Sequence, residues 1–524
     1  MHKLSWLRFL RIGISIVFLL LTGMIFLDLV QWIPQRLINA ITWIQFTPSV
    51  IRFAVSAGFA ASGFLLFLIL TLLFGRIYCS SVCPLGTLQD IISRIRRRFF
   101  KQKPLKYVKA GNLLRYSILV LTVITFLAGT SQLVSLLDPY SNFGRIMGNL
   151  VRPLVQAGSN FTAGLLEKQD IFWLPKKEIK GIHTASIAFA SGFILLVGWM
   201  SFFRGRLYCN TVCPVGALLG FFSSKSRFVI SLDKQACNSC GQCSKVCKAQ
   251  CIDVKNKEVD FSRCVACFNC LDSCPSDGVR YAVKAKNAVT VPGKAEIPAV
   301  EPRRTIIRAM LLFSAFATSK AFATRLTGGE KPTSVPEDKK LVSTPPGSES
   351  HDLFNHHCTA CHLCVSVCPT QVLQPSFLHY GLQGFMQPYM DYHAGFCNFE
   401  CDLCGQVCPT DAIKAVLPDQ KKRIQTGIAR FLKENCVVHT DKTDCGACSE
   451  HCPTKAVNMV PYENGLKIPE VDDKICIGCG ACEYACPTRP YRAIFVEGNA
   501  IHQTADEPVQ EKIKIRETGE DFPF

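Results

Sequence analysis

Runs of closely spaced cysteines dominate this sequence and restrict the folds that the chain can adopt. The chain has 29 cysteines in 524 residues, and 24 of them fall into six runs that repeat one spacing with small insertions. A tight loop with this spacing presents three thiolates to one iron-sulfur cubane, while a partner run supplies the fourth thiolate. The six runs therefore predict three α+β modules, each resembling a bacterial ferredoxin with two [4Fe-4S] clusters.

The first two runs have the standard spacing C-x2-C-x2-C-x3-C. In two-cluster ferredoxins the last cysteine of each run ligates the cluster of the other run. This crosswise rule assigns one cluster to Cys237, Cys240, Cys243 and Cys274, and a second to Cys264, Cys267, Cys270 and Cys247. Cys251 is left over, and we interpret it as a spare or packing cysteine.

The four later runs keep the core C-x2-C-x3-C-P, although two of them carry an insertion after the first cysteine. The crosswise rule gives four more ligand sets. They are Cys358, Cys361, Cys364 and Cys408; Cys397, Cys401, Cys404 and Cys368; Cys436, Cys445, Cys448 and Cys486; and Cys476, Cys479, Cys482 and Cys452. The whole chain is thus predicted to hold six [4Fe-4S] clusters, with these cysteines as iron ligands.

Other uses of these cysteines fit the spacing less well. Cysteines three apart that end in Cys-Pro are poor disulfide partners, and zinc sites use paired C-x2-C units without a third step. The segment Cys358-Thr-Ala-Cys361-His362 does match the attachment signature of c-type haem. Haem at this position would break a predicted cluster, so we favour the ferredoxin assignment.

Charge and hydropathy divide the chain into two halves. Residues 1–324 carry 39 Lys and Arg against 14 Asp and Glu, whereas residues 325–524 carry 19 against 26. The positive charge flanks apolar runs instead of covering a soluble domain, which argues against a nucleic-acid-binding protein. Four runs long enough to cross a bilayer predict transmembrane helices, arranged as two repeated hairpins, at Ile12–Leu29, Ala54–Phe74, Tyr116–Leu137 and His183–Phe203.

A short motif recurs at the ends of the second and fourth predicted helices. Residues 75–86, GRIYCSSVCPLG, return 130 residues later as GRLYCNTVCPVG. The Lys and Arg residues between positions 94 and 109 predict that both motifs face the cytoplasm. Each motif places two cysteines four residues apart, so the thiols of a pair face the same way: Cys79 and Cys83, then Cys209 and Cys213. Three roles stay open for these four: a further metal centre, a catalytic dithiol-disulfide couple, or simple burial.

A different signal lies in the middle of the chain. Arg303-Arg304 precedes an apolar run from Ala309 to Thr318 and then Ala321-Phe322-Ala323, which resembles a twin-arginine export signal. A fifth membrane helix and an amphipathic cytoplasmic helix are the alternatives. An export signal and a fifth membrane helix each predict that the residues after about 325 lie on the outer side of the membrane.

These features predict a membrane α-helical domain joined to three ferredoxin-like modules. The boundaries are 1–225 for the membrane domain, 226–290 for a cytoplasmic ferredoxin domain, 300–324 for the signal or fifth helix, 325–350 for a linker, 351–420 and 421–505 for two periplasmic modules, and 506–524 for a tail.

The paired motifs, the four helices and the first ferredoxin domain make residues 1–290 resemble NapH-type membrane quinol dehydrogenase subunits. The twin arginine with four ferredoxin-type runs makes residues 300–500 resemble NapG-type or MauM-like exported ferredoxins. The membrane half is also similar to the NosR and CcoG groups. The resemblance implies a fused polyferredoxin of the bacterial inner membrane that passes electrons from the quinone pool to a periplasmic reductase or cytochrome.

Two further functions stay open from the sequence. In the first, the chain is a maturation factor that reduces a metal or a thiol for another respiratory enzyme, with the four cysteines of the repeated motif as working groups. In the second, it is an assembly scaffold with structural clusters. Within the quinol hypothesis, Asp138-Pro139-Tyr140 is either a quinone-site element or, as we favour, a helix-ending turn.

Overall fold

Helices build the first 223 residues of the computed structural model, which describes residues 5–28, 32–56, 62–100, 105–173, 176, 183–284 and 335–507. Among the described residues, two helices are long and apolar enough to cross a membrane, namely Ser5–Leu27 and Thr184–Arg204. The others are shorter: Gln35–Trp43, Phe46–Ser56, Gly63–Phe74, Ile77–Ser81, Pro84–Phe99, Asn112–Leu127, Gln132–Leu137, Pro139–Ile146, Arg152–Glu167, Leu207–Thr211 and Pro214–Ser223, with a π-helical turn at Met147–Val151.

The second and third predicted membrane helices differ from the structure. The second corresponds to Gly63–Phe74 and the end of Phe46–Ser56, with residues 57–61 outside the described part of the chain. The prediction of one continuous third helix to Leu137 is wrong. Asn112–Leu127 ends there because Gly129 adopts a left-handed backbone, with φ of 86°, and a new helix begins only at Gln132.

The two copies of the repeated motif fold alike. In each copy a glycine with positive φ, Gly75 or Gly205, ends the preceding helix. A five-residue helix follows, and the second cysteine of the motif then precedes a helix that begins with proline. Proline suits that first position because its missing N–H has no partner there in any helix.

The first ferredoxin region, residues 228–284, is built from two small antiparallel sheets and two short helices. Phe228–Leu232 pairs with Val279–Val283, and Ile252–Asp253 pairs with Glu258–Val259. The helices are Gln242–Lys245 and Asn269–Asp272. Each helix follows the second cysteine of its run, so both runs adopt the same local structure.

The two later modules pack as one unit around a shared core. Their sheets pair Leu373–Pro375 with Pro388–Met390, Ile424–Phe431 with Ile494–Thr504, and Val457–Pro461 with Lys467–Val471. Their helices are His351–His357, Leu363–Val367, Leu403–Val407, Pro418–Lys421, Val437–Thr440, Ala447–Glu450 and Ala481–Ala485, with 3-10 turns at Lys433–Asn435 and Glu463–Gly465. The hydroxyl of Tyr392 donates to the carbonyl of Gly478 at 2.6 Å, which joins one module to the other.

Most of the predicted linker is folded. Residues 335–350 pack on the later modules: Asn435 accepts the Val335 N–H at 2.7 Å, and Gly498 donates to the Leu341 carbonyl at 3.0 Å. Ser343 and Thr344 are buried. The predicted signal at 300–324 lies outside the described residues, as do 325–334.

The two ferredoxin-containing regions contact opposite ends of helix Ser5–Leu27. Near its start, Arg8 pairs with Asp272 of the first region at 3.1 Å. Near its end, Phe26 lies in a buried cluster with Cys361 and Leu363 of the later modules. The helical domain therefore separates the two regions by about the length of that helix.

Candidate iron-sulfur sites and the four-cysteine core

Three cavities are lined by cysteines from different runs. In each cavity the last cysteine of one run joins three cysteines of its partner run. The sets are Cys247 with Cys264, Cys267 and Cys270; Cys368 with Cys397, Cys401 and Cys404; and Cys486 with Cys436, Cys445 and Cys448. These are the sets that the crosswise rule predicts.

The remaining three sets also gather around one thiol each. Cys243 lies within electrostatic range of Cys237, Cys240 and Cys274, and Cys482 within range of Cys476, Cys479 and Cys452. Cys408 lies within range of Cys358, Cys361 and Cys364, although Cys364 is also within range of Cys404. The structure thus brings together all six predicted ligand sets.

Burial makes several of these thiols poor anions unless a cation is close to them. Desolvation raises the pKa of Cys361, of Cys448 and of Cys479 to about 12 each. At neutral pH such thiols keep their protons, whereas iron ligation requires thiolates and supplies the positive charge that stabilises them. The donor sets therefore fit [4Fe-4S] clusters, which would be held by the cysteines named above.

Hydroxyl groups next to the last cysteine of a run were missed by the sequence analysis. Five of the six runs continue as Cys-Pro-Thr or Cys-Pro-Ser, and in each the hydroxyl lies within hydrogen-bond range of the cysteine sulfur, at 3.1 to 3.7 Å. Hydrogen bonds to ligand sulfurs raise the potential of a cluster because they stabilise its more negative, reduced form. The hydroxyl residue that recurs two positions after the last cysteine of a run is the sequence signal that could have predicted these hydrogen bonds.

The run that ends at Cys247 has no such hydroxyl, and Cys251 takes its place. The Cys251 sulfur lies 3.6 Å from the Cys247 sulfur and lines the same cavity. The interpretation of Cys251 as a packing residue is therefore incomplete, because its thiol can donate to a ligand sulfur.

Replacing Cys251 with alanine is expected to lower the midpoint potential of the cluster at Cys247 without loss of iron. The variant removes one weak S–H donor, while all 24 predicted ligands remain. Potentiometric EPR measures the shift, and Cys251→Ser, which keeps a donor, is the matched control. Loss of one cluster from Cys251→Ala would show instead that Cys251 is a ligand.

The histidine of the haem-like signature is engaged with protein groups. His362 is buried, its Nε2 lies 2.8 Å from the carbonyl of Met386, and its Nδ1 lies 3.4 Å from Asn149. Both ring nitrogens therefore have partners other than an axial metal. This arrangement agrees with the ferredoxin assignment of Cys358 and Cys361.

The four cysteines of the repeated motif lie together in the core of the helical domain. Cys79, Cys83, Cys209 and Cys213 are 3–4% exposed and belong to one buried cluster. Cys213 lies within electrostatic range of the other three. The two repeats thus bring their cysteine pairs face to face.

The arginine of each motif reaches across to the other repeat. Arg76 donates to the carbonyl of Cys209 at 3.0 Å, and Arg206 donates to the carbonyl of Cys79 at 2.7 Å. Each guanidinium also lies near the sulfur of its own repeat's first cysteine, at 3.7 and 3.9 Å. Both arginines belong to the repeated motif, but its spacing does not predict that they cross between the repeats.

Two glycines make this crossing possible. A Cβ added to Gly86 would lie 2.3 Å from the carbonyl oxygen of Cys79 and 2.6 Å from the guanidinium of Arg206, and one added to Gly216 would lie 2.1 Å from the carbonyl oxygen of Cys209 and 2.9 Å from the guanidinium of Arg76. Both positions belong to the repeated motif. The duplicated glycine therefore provides space for the arginine of the opposite repeat.

Asp90 gathers three cations beside the four cysteines. Arg206, Lys248 and Arg11 approach its carboxylate at 2.8, 2.9 and 3.1 Å. Burial alone would raise the pKa of Asp90, but the charges of Arg206 and Lys248 hold it well below its usual range. Asp90 is therefore an anion, and it links the first ferredoxin region to the helical domain through Lys248.

Asp138 has a structural role. It precedes helix Pro139–Ile146, and its carboxylate accepts from the backbone N–H and the hydroxyl of Ser141, both at 2.7 Å. The segment ends helix Gln132–Leu137, as expected, and Asp138 also caps the start of the next helix.

Comparison with known families connects these sites to iron-sulfur proteins. A family described as a 4Fe-4S binding domain matches residues 56–103 and 185–232, the two repeats of the helical domain. A family described as a 4Fe-4S dicluster domain matches residues 357–412 and 443–489. No solved structure matches the chain significantly.

Curated relatives agree with the family matches. The ferredoxin-type protein NapH of Escherichia coli is 30% identical over 38% of this chain and 60% of its own length. The methylamine utilization ferredoxin-type protein MauM of Methylophilus methylotrophus is 32% identical over 28% of this chain and 66% of its own length. The chain is a homologue of ferredoxin-type electron-transport proteins.

A third relative, the putative electron transport protein YccM of Escherichia coli, is 26% identical over 40% of this chain and 51% of its own length. The chain thus spans between about half and two thirds of the length of these three ferredoxin-type relatives. The similarities are consistent with a NapH-like and a MauM-like protein joined in one chain. The resemblance to the NosR and CcoG groups stays a prediction.

Proposed function

We propose that this ferredoxin-type protein is a membrane-bound electron carrier with six [4Fe-4S] clusters that takes electrons from quinol and passes them through its outer clusters to a periplasmic reductase or cytochrome. The observation that carries the proposal is the arrangement of six four-cysteine sets at the two opposite ends of a helical domain. The cofactors carry the redox chemistry, while the chain fixes their spacing, burial and hydrogen bonds.

The proposed orientation places the N-terminus and the first ferredoxin region in the cytoplasm, and the residues after about 325 in the periplasm. The basic end of helix Pro84–Phe99 supports this orientation, since Arg96, Arg97 and Arg98 lie in its last turn. The first ferredoxin region contacts the helical domain on the side of Asp90 in the same helix. The later modules contact the opposite end.

A cleft between the helical domain and the later modules is our candidate site for the quinol headgroup. Polar side chains line much of it, namely Asn149, Arg152, Gln156, His183, Gln371 and Gln374. Val365, which also lines the cleft, directly follows the predicted ligand Cys364. A quinol bound there would lie beside the first cluster of the later modules.

Quinol oxidation releases two electrons and two protons, so the site needs a proton acceptor. His183 is our candidate for this role, because it lines the cleft and its Nε2 lies 4.0 Å from the carboxylate of Asp391. The electrons would leave one at a time through the cluster at Cys364. Protons would leave through the imidazole.

Replacing His183 with asparagine is expected to slow cluster reduction by a menaquinol analogue by about a hundredfold, the usual contribution of a general base. Reduction by dithionite should not change, because it needs no proton acceptor in this cleft. Stopped-flow absorbance measures both rates. His451→Asn, an exposed histidine of the last module, is the matched control.

The same measurement tests the proposed function as a whole. Rapid reduction of clusters by the quinol analogue in the wild-type chain supports it. Absence of any rapid reduction in material with full iron content would reject the quinol source and favour a structural scaffold. An unchanged rate in His183→Asn would reject the cleft but not the carrier.

The alternative of a thiol-reducing maturation factor has weaker support. Its working groups would be Cys79, Cys83, Cys209 and Cys213, which need access to a partner protein or metal. All four are buried beneath the helices that carry them. Thiols in this position can exchange electrons but cannot meet a protein substrate.

A further inference from the structure

We infer that Cys79, Cys83, Cys209 and Cys213 together ligate one more iron-sulfur cluster, which links the two ferredoxin-containing regions through the helical domain. The role as a link rests on the proposed electron-carrier function. The metal site itself rests on the charges, donors and ligands of the four-cysteine core.

Buried positive charge surrounds the four thiols without enough carboxylate to neutralise it. Arg11, Arg206 and Lys248 share the single carboxylate of Asp90. Arg76 and Arg115 have no carboxylate within ion-pair distance among the described residues, and their partners are carbonyls, an amide, a hydroxyl and sulfur. Among the described residues, these five buried cations thus have only the Asp90 carboxylate within ion-pair distance, with Asp260 at longer range from Arg115.

An uncompensated buried charge is strongly unfavourable, so a core of this kind requires further negative charge. Buried nitrogens also lack acceptors here: Nε of Arg76 and Nη2 of Arg206 have no hydrogen-bond partner in the described part of the chain. An iron-sulfur core with four thiolates carries about two negative charges. Four protonated thiols or two disulfides carry none, so the charge balance favours a metal-thiolate centre over a dithiol couple.

The sulfurs already accept hydrogen bonds of the kind seen at the ferredoxin sites. The side-chain amide of Gln89 donates to the Cys209 sulfur at 3.3 Å, and the N–H of Gly216 donates to the Cys213 sulfur at 3.3 Å. In the later modules, the N–H of Ile413 donates to the Cys408 sulfur at 3.4 Å. Donors at these distances stabilise thiolate ligands.

The ligand count requires both repeats. The family described as a 4Fe-4S binding domain matches two segments, and each segment contains only one cysteine pair. One pair cannot complete a cubane, whereas the two pairs supply its four ligands. The crossed contacts of Arg76 and Arg206 hold the pairs together.

The centre would lie between two of the predicted clusters. On one side, Cys267 of the first ferredoxin region belongs to the same buried cluster as the four thiols. On the other side, the hydroxyl of Tyr208 donates to the carbonyl of Leu137 at 2.8 Å, and the Nε of Arg145 donates to that of Ala360, next to Cys361, at 2.9 Å. One electron would arrive from a reduced neighbour and leave to the next centre, and no bond would form or break.

The test compares wild type with the double variant Cys79→Ser, Cys213→Ser, which removes one ligand from each pair. Iron and acid-labile sulfide should fall by about four atoms of each per chain, and one Mössbauer and EPR component should disappear. Cys251→Ser is the matched control and should keep the wild-type iron content. Unchanged iron in the double variant, or zinc bound at the four cysteines in wild type, would overturn the inference.

A second variant keeps every ligand. Arg76→Gln removes one positive charge beside the centre and should lower the midpoint potential of one EPR component while the other components stay unchanged. If no single component shifts in folded protein with full iron content, the inference fails. Both readouts are independent of quinol, so failure of quinol to reduce the clusters would reject the proposed function and leave this site intact.

Discussion

Replacing Cys408 with serine is expected to stop electrons from reaching the outermost clusters. Cys408 ends the run that starts at Cys397, yet it lies within electrostatic range of Cys364. The predicted ligand set of Cys408 and Cys364 also includes Cys361, which packs in one buried cluster with Phe26 of the helical domain. Loss of this cluster would remove about four iron atoms and the first centre beyond the helices. Reduction of the remaining outer clusters by quinol should fall to background.

Cys404→Ser provides the sharpest comparison, because Cys404 belongs to the same run but lines the cavity with Cys368. The two variants should each lose one cluster, but different EPR components should disappear. Cys404→Ser should leave the component of the Cys364 cluster in place. Loss of the same component in both variants would show that the run ligates a single cluster and that the crosswise rule fails here.

The cysteine spacing was sufficient to predict the ligand sets because cluster loops are determined by local sequence. In the runs without an insertion, the first three cysteines lie within seven residues and turn around one point. The last cysteine lies at the end of a short helix, as at Cys368, Cys408 and Cys486, and it points to the partner run. The insertion between Cys436 and Cys445 does not alter this, since both still line one cavity with Cys486. Local geometry therefore carries most of the information about these sites.

Contacts across the repeat could not be predicted in the same way. The crossing of Arg76 and Arg206 depends on how two helical hairpins pack, and no local spacing reports it. Hydropathy also failed at Gly129, where a single left-handed residue divides an apolar run that is long enough to span a bilayer. Residues 335–350 were predicted to be a linker because of their composition. Composition carries no information about the backbone hydrogen bonds that this segment makes.

Replacing Arg145 with leucine is expected to detach the later modules from the helical domain. Arg145 is 1% exposed and donates to Ala360 at 2.9 Å, to Thr359 at 3.3 Å and to the Ser135 hydroxyl at 2.8 Å. Its removal leaves several buried acceptors unsatisfied, at about 1–3 kcal/mol each. We expect faster proteolysis between the two regions and slower reduction of the outer clusters, since electron transfer weakens steeply with distance.

Arg52→Gln is the matched control, because Arg52 also joins the helical domain to the later modules, through Asp411 at 2.8 Å. This pair is partly exposed, so its loss should cost no more than about 1 kcal/mol. Proteolysis and quinol-driven reduction should then stay close to wild type. Equal effects of the two variants would contradict a central role for Arg145, since the buried contacts would then contribute no more than a surface ion pair. A strong effect of Arg145→Leu alone would show that the buried contacts at the Ala360 loop, beside Cys361, hold the later modules against the helical domain and the proposed quinol cleft.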